Sequence, residues 1–141
     1  MKAGYDATTD ELTSILVLVD DLMLATRVEN TLRASGYTVR IVPTTAELLA
    51  ATRASVPGAI IVRFGAPFLD WEGAIRAVRD EPSLAAVPLL AFGPHVETES
   101  RAAARAAGAT RIVTNGAFFN GMPRIVAALL SDAALPEEDE A

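Results

Sequence analysis

Five short apolar runs, separated by longer segments, constrain the fold of this chain more than any other feature. The runs are ILVLV at 15–19, YTVRIV at 37–42, AIIV at 59–62, PLLAF at 88–92 and RIVT at 111–114. Three of them are almost continuously apolar, which is typical of strands covered on both faces in a parallel sheet. Strands with one wet face would instead alternate apolar and polar residues.

A segment with helical spacing follows each run. Residues 22–35 carry apolar side chains at helical intervals and are followed by Gly36, a frequent helix terminator. Thr44 or Thr45 can cap the second helix, and Pro123 suits the first turn of the last one. The third and fourth helices are expected in DWEGAIRAVRD and ETESRAAARAAG. This alternation predicts an α/β fold, a doubly wound three-layer sandwich around a five-stranded parallel sheet.

Length and charge indicate one neutral domain with acidic ends. The chain has 141 residues, which suits a single domain. We expect a flexible tail over 1–13, the folded domain over 14–132 and an acidic tail over 133–141. The two tails carry −2 and −4 of the net charge of −6, so residues 14–132 are neutral. A neutral domain with acidic ends lacks the basic surface that binds nucleic acid.

The absence of certain residues narrows the function further. The chain has no cysteine, which excludes disulfides, thiolate metal sites and cysteine nucleophiles. No segment approaches the roughly 20 apolar residues of a membrane helix, and the acidic N-terminus does not resemble a secretory signal. We therefore expect a cytoplasmic protein that does not contact a membrane.

Polar residues follow the predicted strands where ligands bind in open parallel sheets, at the carboxyl ends of the strands. The acidic pair Asp20 and Asp21 follows the first strand, and Arg63 follows the third. Adjacent carboxylates repel each other unless a cation lies between them. Because the first and third strands are normally neighbours in such a sheet, Arg63 can be that cation, with bidentate geometry available to it. Arg63 can instead extend into solvent, and one aspartate can cap the first helix.

Other residues near these ends have both a structural and a functional interpretation. His95 is either an ordinary surface residue or a ligand contact at the rim, and a single histidine does not make a metal site. Phe118 and Phe119 either pack in the core or form an exposed partner surface. Asn115-Gly116 is predicted to form a turn. Neither a phosphate-binding loop nor a nucleophile–base pair is visible, so we do not expect an enzyme.

Four segments resemble the receiver domain of two-component response regulators, over about residues 14–131. They are ILVLVDD, VPGAIIVRFGAPFLDWEGAIRAVR, AAVPLLAF and RAAARAAGATRIVTNGAFF. Asp20 and Asp21 fall on the metal-binding acidic pair of that family. Pro57, Pro67 and Asp70 fall where the family commonly has Pro, Pro and Asp. The resemblance implies the flavodoxin-like strand order 2-1-3-4-5.

The chain departs from this family at three functional positions. Arg63 stands at the phosphoacceptor aspartate, Gly93 at the switch Ser or Thr, and Asn115-Gly116 at the Lys-Pro pair. The usual aspartyl phosphate needs a carboxylate acceptor, so it cannot form at Arg63. The resemblance therefore implies a degenerate receiver, or pseudo-receiver, without a cofactor. Mg²⁺ is not expected; if a metal binds, its ligands are the acidic pair.

Two functional hypotheses remain. The first is a stand-alone signalling module that binds an unknown protein partner without phosphorylation, or a second copy of itself, through the fourth helix, fifth strand and fifth helix. The second is a sensor that binds a small molecule or anion at the rim through His95, Asn115 and Arg63. A residual enzyme would need a displaced acceptor, either Asp70 or a member of the acidic pair.

Overall fold

The computed structural model describes residues 14–65, 67–94 and 98–131. The tails expected over 1–13 and 133–141 lie outside these ranges, as does residue 132. The strands are β1 (Ser14–Leu18), β2 (Thr38–Val42), β3 (Ala59–Arg63), β4 (Leu89–Gly93) and β5 (Arg111–Thr114). The helices are α1 (Leu22–Ala34), α2 (Thr45–Ala54), α3 (Trp71–Asp80), α4 (Thr98–Ala107) and α5 (Asn115–Leu130), with a 3₁₀ turn at Pro82–Leu84.

The five strands form one parallel sheet in the order β2-β1-β3-β4-β5. In the middle of β1, Val17 pairs with Ile41 of β2 on one side and Ile61 of β3 on the other. The predicted fold class and strand order are confirmed. Because all strands run the same way, their carboxyl ends form one edge, called here the carboxyl edge, and their amino ends form the opposite amino edge.

Helices cover both faces of the sheet, which explains why the central strands are almost continuously apolar. Ile15 and Val17 of β1 face the cluster built with α1 and α5. Leu16 and Leu18 face the opposite cluster, built with α2, α3 and α4. All four side chains are at most 4% exposed. Successive strand residues point to opposite faces, so a strand buried on both sides needs an apolar residue at every position.

Side-chain caps fix where two of the helices begin. The Oγ1 of Thr44 accepts a hydrogen bond from the backbone N–H of Glu47 at 3.1 Å, so Thr44, not Thr45, caps α2. The Oδ1 of Asp70 accepts one from Gly73 N–H at 3.0 Å and caps α3. Each cap satisfies a backbone donor that the first turn leaves without a helical partner.

The start of α5 differs from the prediction. The expected turn at Asn115-Gly116 was wrong, because Thr114 caps a helix that begins at Asn115 directly after β5. The helix is kinked at Gly121, where φ is −133° and ψ is 26°. Pro123 follows, and a proline lacks the N–H of the helical ladder and crowds the carbonyl four residues earlier. The last predicted helix is therefore the second half of α5.

None of the helices in the described part of the chain is long and apolar enough to span a membrane.

Replacing Thr44 by alanine removes the cap of α2 and should lower the free energy of unfolding by about 1 kcal/mol. Thr44→Ser should stay near the native value, because serine supplies the same acceptor oxygen. Thr45→Ala is the matched control for losing a threonine at the same helix end. Urea unfolding followed by circular dichroism measures all three; equal losses for Thr44→Ala and Thr45→Ala would contradict this assignment.

Candidate functional site

Arg63 ends β3 at the carboxyl edge and faces Asp20, which follows β1. Their closest atoms, Nη1 of Arg63 and Oδ1 of Asp20, are 3.9 Å apart. The side chains are 23% and 28% exposed, respectively. This is one loose contact and not the bidentate geometry that was available in principle. A partly exposed pair of this kind contributes at most about 1 kcal/mol, so it sets local charge more than stability.

Asp21 has a different role from its neighbour. Its Oδ1 accepts a hydrogen bond from Leu24 N–H at 3.0 Å and caps α1. The sequence left open whether these aspartates pair with Arg63 or cap the first helix, and each of the two residues takes one of these roles. Asp20 faces the arginine, and Asp21 starts the helix.

Two buried polar atoms at this edge have no hydrogen-bond partner among the described residues. They are Nε of Arg63 and Oδ1 of Asn115. Asn115 is the first residue of α5, directly after β5, so both side chains belong to the same edge of the sheet. Buried polar atoms are normally paired, since leaving one unpaired costs about 1–3 kcal/mol. A free donor and a free acceptor therefore remain for a ligand or for water.

Gly93 marks the place where the ends of β3 and β4 approach most closely. A Cβ at Gly93 would lie 2.6 Å from the carbonyl oxygen of Phe64 and 2.8 Å from its ring. Phe64 is fully buried, and its N–H donates to Phe92 O at 2.8 Å. The Phe64 ring lies 5.8 Å from that of Trp71, between centroids. Phe64 thus occupies the space that a Ser or Thr at position 93 would need.

The aromatic residues of α5 divide between the core and the surface. Phe118 is fully buried and stacks on Phe92 with ring centroids 4.4 Å apart. Of the two interpretations left open for Phe118, packing in the core is therefore the correct one, and the alternative of a rim contact is wrong for this residue. Phe119 is half-buried, and the guanidinium carbon of Arg27 lies 4.4 Å from its ring centroid. His95 lies outside the described residues.

Three large apolar side chains at the carboxyl edge were not anticipated as surface residues. Leu22, Met23 and Phe68 are 80%, 82% and 93% exposed. Leu22 has the same helical spacing as the buried residues Ala25, Val28 and Leu32. This spacing is typical of a buried side chain, yet Leu22 is exposed. It is exposed because the first turn of α1 stands at the carboxyl edge, where no strand remains to cover it. Phe68 precedes the cap of α3, in a connection whose sequence gives no periodic signal.

The donor set at this edge does not fit a divalent cation. Within 14–65, 67–94 and 98–131, no group of three or more His, Asp or Glu side chains is placed to hold a metal. Of the two carboxylates that would be the ligands if a metal bound, Asp21 accepts from a helix N–H and Asp20 faces a guanidinium. Mg²⁺ prefers several oxygen ligands in octahedral geometry, and a cationic side chain supplies none.

Adding a side chain at Gly93 should destabilise the fold, because the new Cβ would collide with the Phe64 backbone, which cannot rotate away. We expect Gly93→Ala to lower the free energy of unfolding by about 1–3 kcal/mol, and Gly93→Thr by at least as much. Gly116→Ala is the matched control, since a Cβ there meets nothing within 4 Å. Chemical denaturation measures the three, and a Gly93→Ala protein as stable as Gly116→Ala would contradict the proposed crowding.

The fold has close counterparts among solved structures. The signal receiver domain of a histidine kinase from Syntrophus aciditrophicus is 21% identical with a TM-score of 0.76, covering 88% of this chain and 94% of that one. The chemotaxis response regulator CheY4 of Vibrio cholerae is 21% identical with a TM-score of 0.74, and the match covers 82% of this chain and 97% of CheY4. The receiver domain of the sensor histidine kinase PA1611 from Pseudomonas aeruginosa PAO1, which has a magnesium ion in its active site cleft, is 23% identical with a TM-score of 0.75, covering 84% and 97%.

No protein-family model and no curated protein matches the chain. The structural likeness extends over nearly the whole of each of these receiver domains, at low sequence identity. The strand order and the placement of the helices on both faces of the sheet agree with it. The chain therefore has the fold of a response-regulator receiver domain.

Proposed function

We propose that this chain is a receiver-like signalling module of the cytoplasm that binds a partner protein and works without being phosphorylated. The observation that carries the proposal is Arg63 at the end of β3, facing Asp20. In a receiver that end carries the phosphoacceptor aspartate. A guanidinium is neither a nucleophile nor a metal ligand, so the standard phosphoryl transfer has no acceptor there.

The crowding of Gly93 supports the same conclusion from a second element. Signalling by a receiver needs two conformations of the carboxyl edge that phosphorylation can favour differently. Here β4 ends in a glycine, and Phe64 fills the space beside it. Without a hydroxyl at this position, β4 offers no side chain to bind a phosphoryl group. We therefore propose one resting conformation that the partner recognises as it stands.

A protein partner is supported by the exposed apolar side chains of the carboxyl edge. Leu22, Met23 and Phe68 are the large apolar residues most exposed to solvent within the described ranges. Leu22 and Met23 begin α1, shortly after Asp20, and Phe68 lies between β3 and α3, shortly after Arg63. Exposed large apolar side chains are typical of protein contact surfaces. They would offer a partner apolar contacts at the same edge as the Arg63–Asp20 pair.

A second candidate function is a sensor for a small anion at the same edge. It is favoured by the unpaired Nε of Arg63, a buried donor that carries positive charge. An anion there would accept this hydrogen bond. Phosphate and acetate are suitable probes. Saturable stabilisation that is lost in Arg63→Gln would favour the sensor over the protein-binding module.

Mg²⁺ titration followed by Trp71 fluorescence should give a flat trace for the native protein. Trp71 is the only tryptophan and contacts Phe64, next to Arg63 in the chain, so metal binding would change its surroundings. Arg63→Asp replaces the cation by a carboxylate beside Asp20 and should respond in a saturable way. Arg76→Asp changes the same charge on the exposed face of α3 and should stay flat. A responsive native protein would overturn the ion-pair account.

Incubation with acetyl phosphate and Mg²⁺ should leave the intact mass of the native protein unchanged. A phosphoryl group that persists in Arg63→Gln but is lost in Asp20→Asn or Asp70→Asn would reveal a displaced acceptor and contradict the proposal. A photo-reactive residue at Phe68 tests the partner surface in cells. Its crosslinked product should form equally with and without the phosphodonor; a product that requires the phosphodonor would also contradict phosphorylation-independent binding.

A further inference from the structure

A second cavity lies at the amino edge of the sheet, opposite the site described above. Its volume is about 310 Å³. The wall is formed by residues that precede β3, β4 and β5 and by the ends of α3 and α5: Gly58, Arg79, Ala85, Ala86, Val87, Pro88, Thr110, Leu129 and Leu130. Ligand cavities in proteins start at roughly 300 Å³, so this one suits only a small molecule.

Arg79 holds this edge together through its guanidinium. Its Nε donates to Gly108 O at 2.9 Å, and its Nη1 donates to Leu84 O and Val87 O at 2.9 Å each and to Ala85 O at 3.4 Å. One side chain thus ties α3 to the segments that lead into β4 and β5. A side chain at Gly108 would collide with Arg79, which fits the positive φ of 125° at this glycine.

The positive charge of Arg79 has no carboxylate beside it in the described part of the chain. Arg33, Arg63 and Arg76, by contrast, each have a carboxylate oxygen within 3.9 Å. Carbonyl dipoles satisfy hydrogen bonds of the Arg79 guanidinium but carry no net negative charge. Burial also lowers the pKa of Arg79 below its usual value, because desolvation disfavours the charged form. A partly buried cation in these surroundings would be stabilised by an anion.

Two hydrogen-bond donors at the cavity remain unused. The Nη2 of Arg79 donates one hydrogen to Thr110 Oγ1 at 3.2 Å, and no described group accepts its second hydrogen. Thr110 Oγ1 also accepts from Leu89 N–H at 3.0 Å, so both of its lone pairs are occupied. Its own O–H must therefore point to a further acceptor. Every other side chain of the wall is apolar, so none of them offers an acceptor.

We propose that this cavity binds a small aliphatic carboxylate. One carboxylate oxygen would accept from Arg79 Nη2–H and the other from the hydroxyl of Thr110. The aliphatic chain would lie against Val87, Leu129 and Leu130. Two donors match the two oxygens of a carboxylate, whereas a phosphate dianion would leave further oxygens unpaired in an apolar cavity. This site is separate from the carboxyl edge and does not depend on the function proposed there.

Titration with sodium butyrate, followed by amide chemical shifts, tests the site in the full chain. Sodium chloride at equal ionic strength and neutral butyramide are the reference compounds, and inorganic phosphate is the competing anion. We expect saturable shifts at the residues of the cavity wall, with butyrate binding at least tenfold more tightly than butyramide. Equal affinity for butyramide, tighter binding of phosphate at the wall, or no saturable shifts at the wall would each overturn the proposal.

Two matched variants separate binding from folding. Arg79→Gln removes several structural hydrogen bonds, so its loss of binding would not separate binding from folding. Ala86→Phe is the informative change, because Ala86 is exposed on the wall and an aromatic ring there fills the cavity. We expect Ala86→Phe to weaken butyrate binding at least tenfold. Ala106→Phe on the exposed face of α4 should retain native affinity. Unchanged binding in a folded Ala86→Phe protein would contradict this location.

Discussion

Burial of the sheet on both faces is the constraint from which the rest of this structure follows. Each central strand must offer an apolar side chain at every position, so its polar residues are displaced to the two ends. Parallel direction then gathers all carboxyl ends on one edge and all amino ends on the other. Arg63 and Asp20 meet at the first edge. Arg79 and Thr110 meet at the second.

The apolar runs predicted most of the fold because their pattern depends on the sheet alone. The five strands, their parallel direction and the helices between them could be read directly, and the strand order came from the resemblance to receiver domains. The start of α5 was missed because it depends on a cap. Once Thr114 bonds to the first turn, a helix can follow β5 without a loop. Phe118 lies in this helix, and its side chain is buried in the core.

The sequence could predict which residues form the candidate site, but it could not predict their contacts. The sequence placed Arg63 near the acidic pair, yet the division of roles between Asp20 and Asp21 depends on which carboxylate reaches a helix N–H. The contacts of Arg79 could not have been foreseen at all. Its two most distant partners, the carbonyl of Gly108 and the hydroxyl of Thr110, lie 29 and 31 positions further along the chain, and no residue pattern indicates such contacts. Exposure of Leu22 depended on where α1 extends past the sheet.

The close approach of Phe64 to Gly93 has a consequence for how this sequence could have diverged from one with a hydroxyl residue at position 93. A threonine there and the buried phenylalanine cannot occupy the same space. The two positions are therefore epistatic: a substitution that is harmful beside one residue becomes acceptable beside another. A smaller side chain at position 64 removes only part of the conflict, because the carbonyl oxygen of residue 64 also lies 2.6 Å from the Cβ position. A stepwise path to a hydroxyl residue at position 93 therefore needs a shift of the backbone after β3 as well as a smaller residue at position 64.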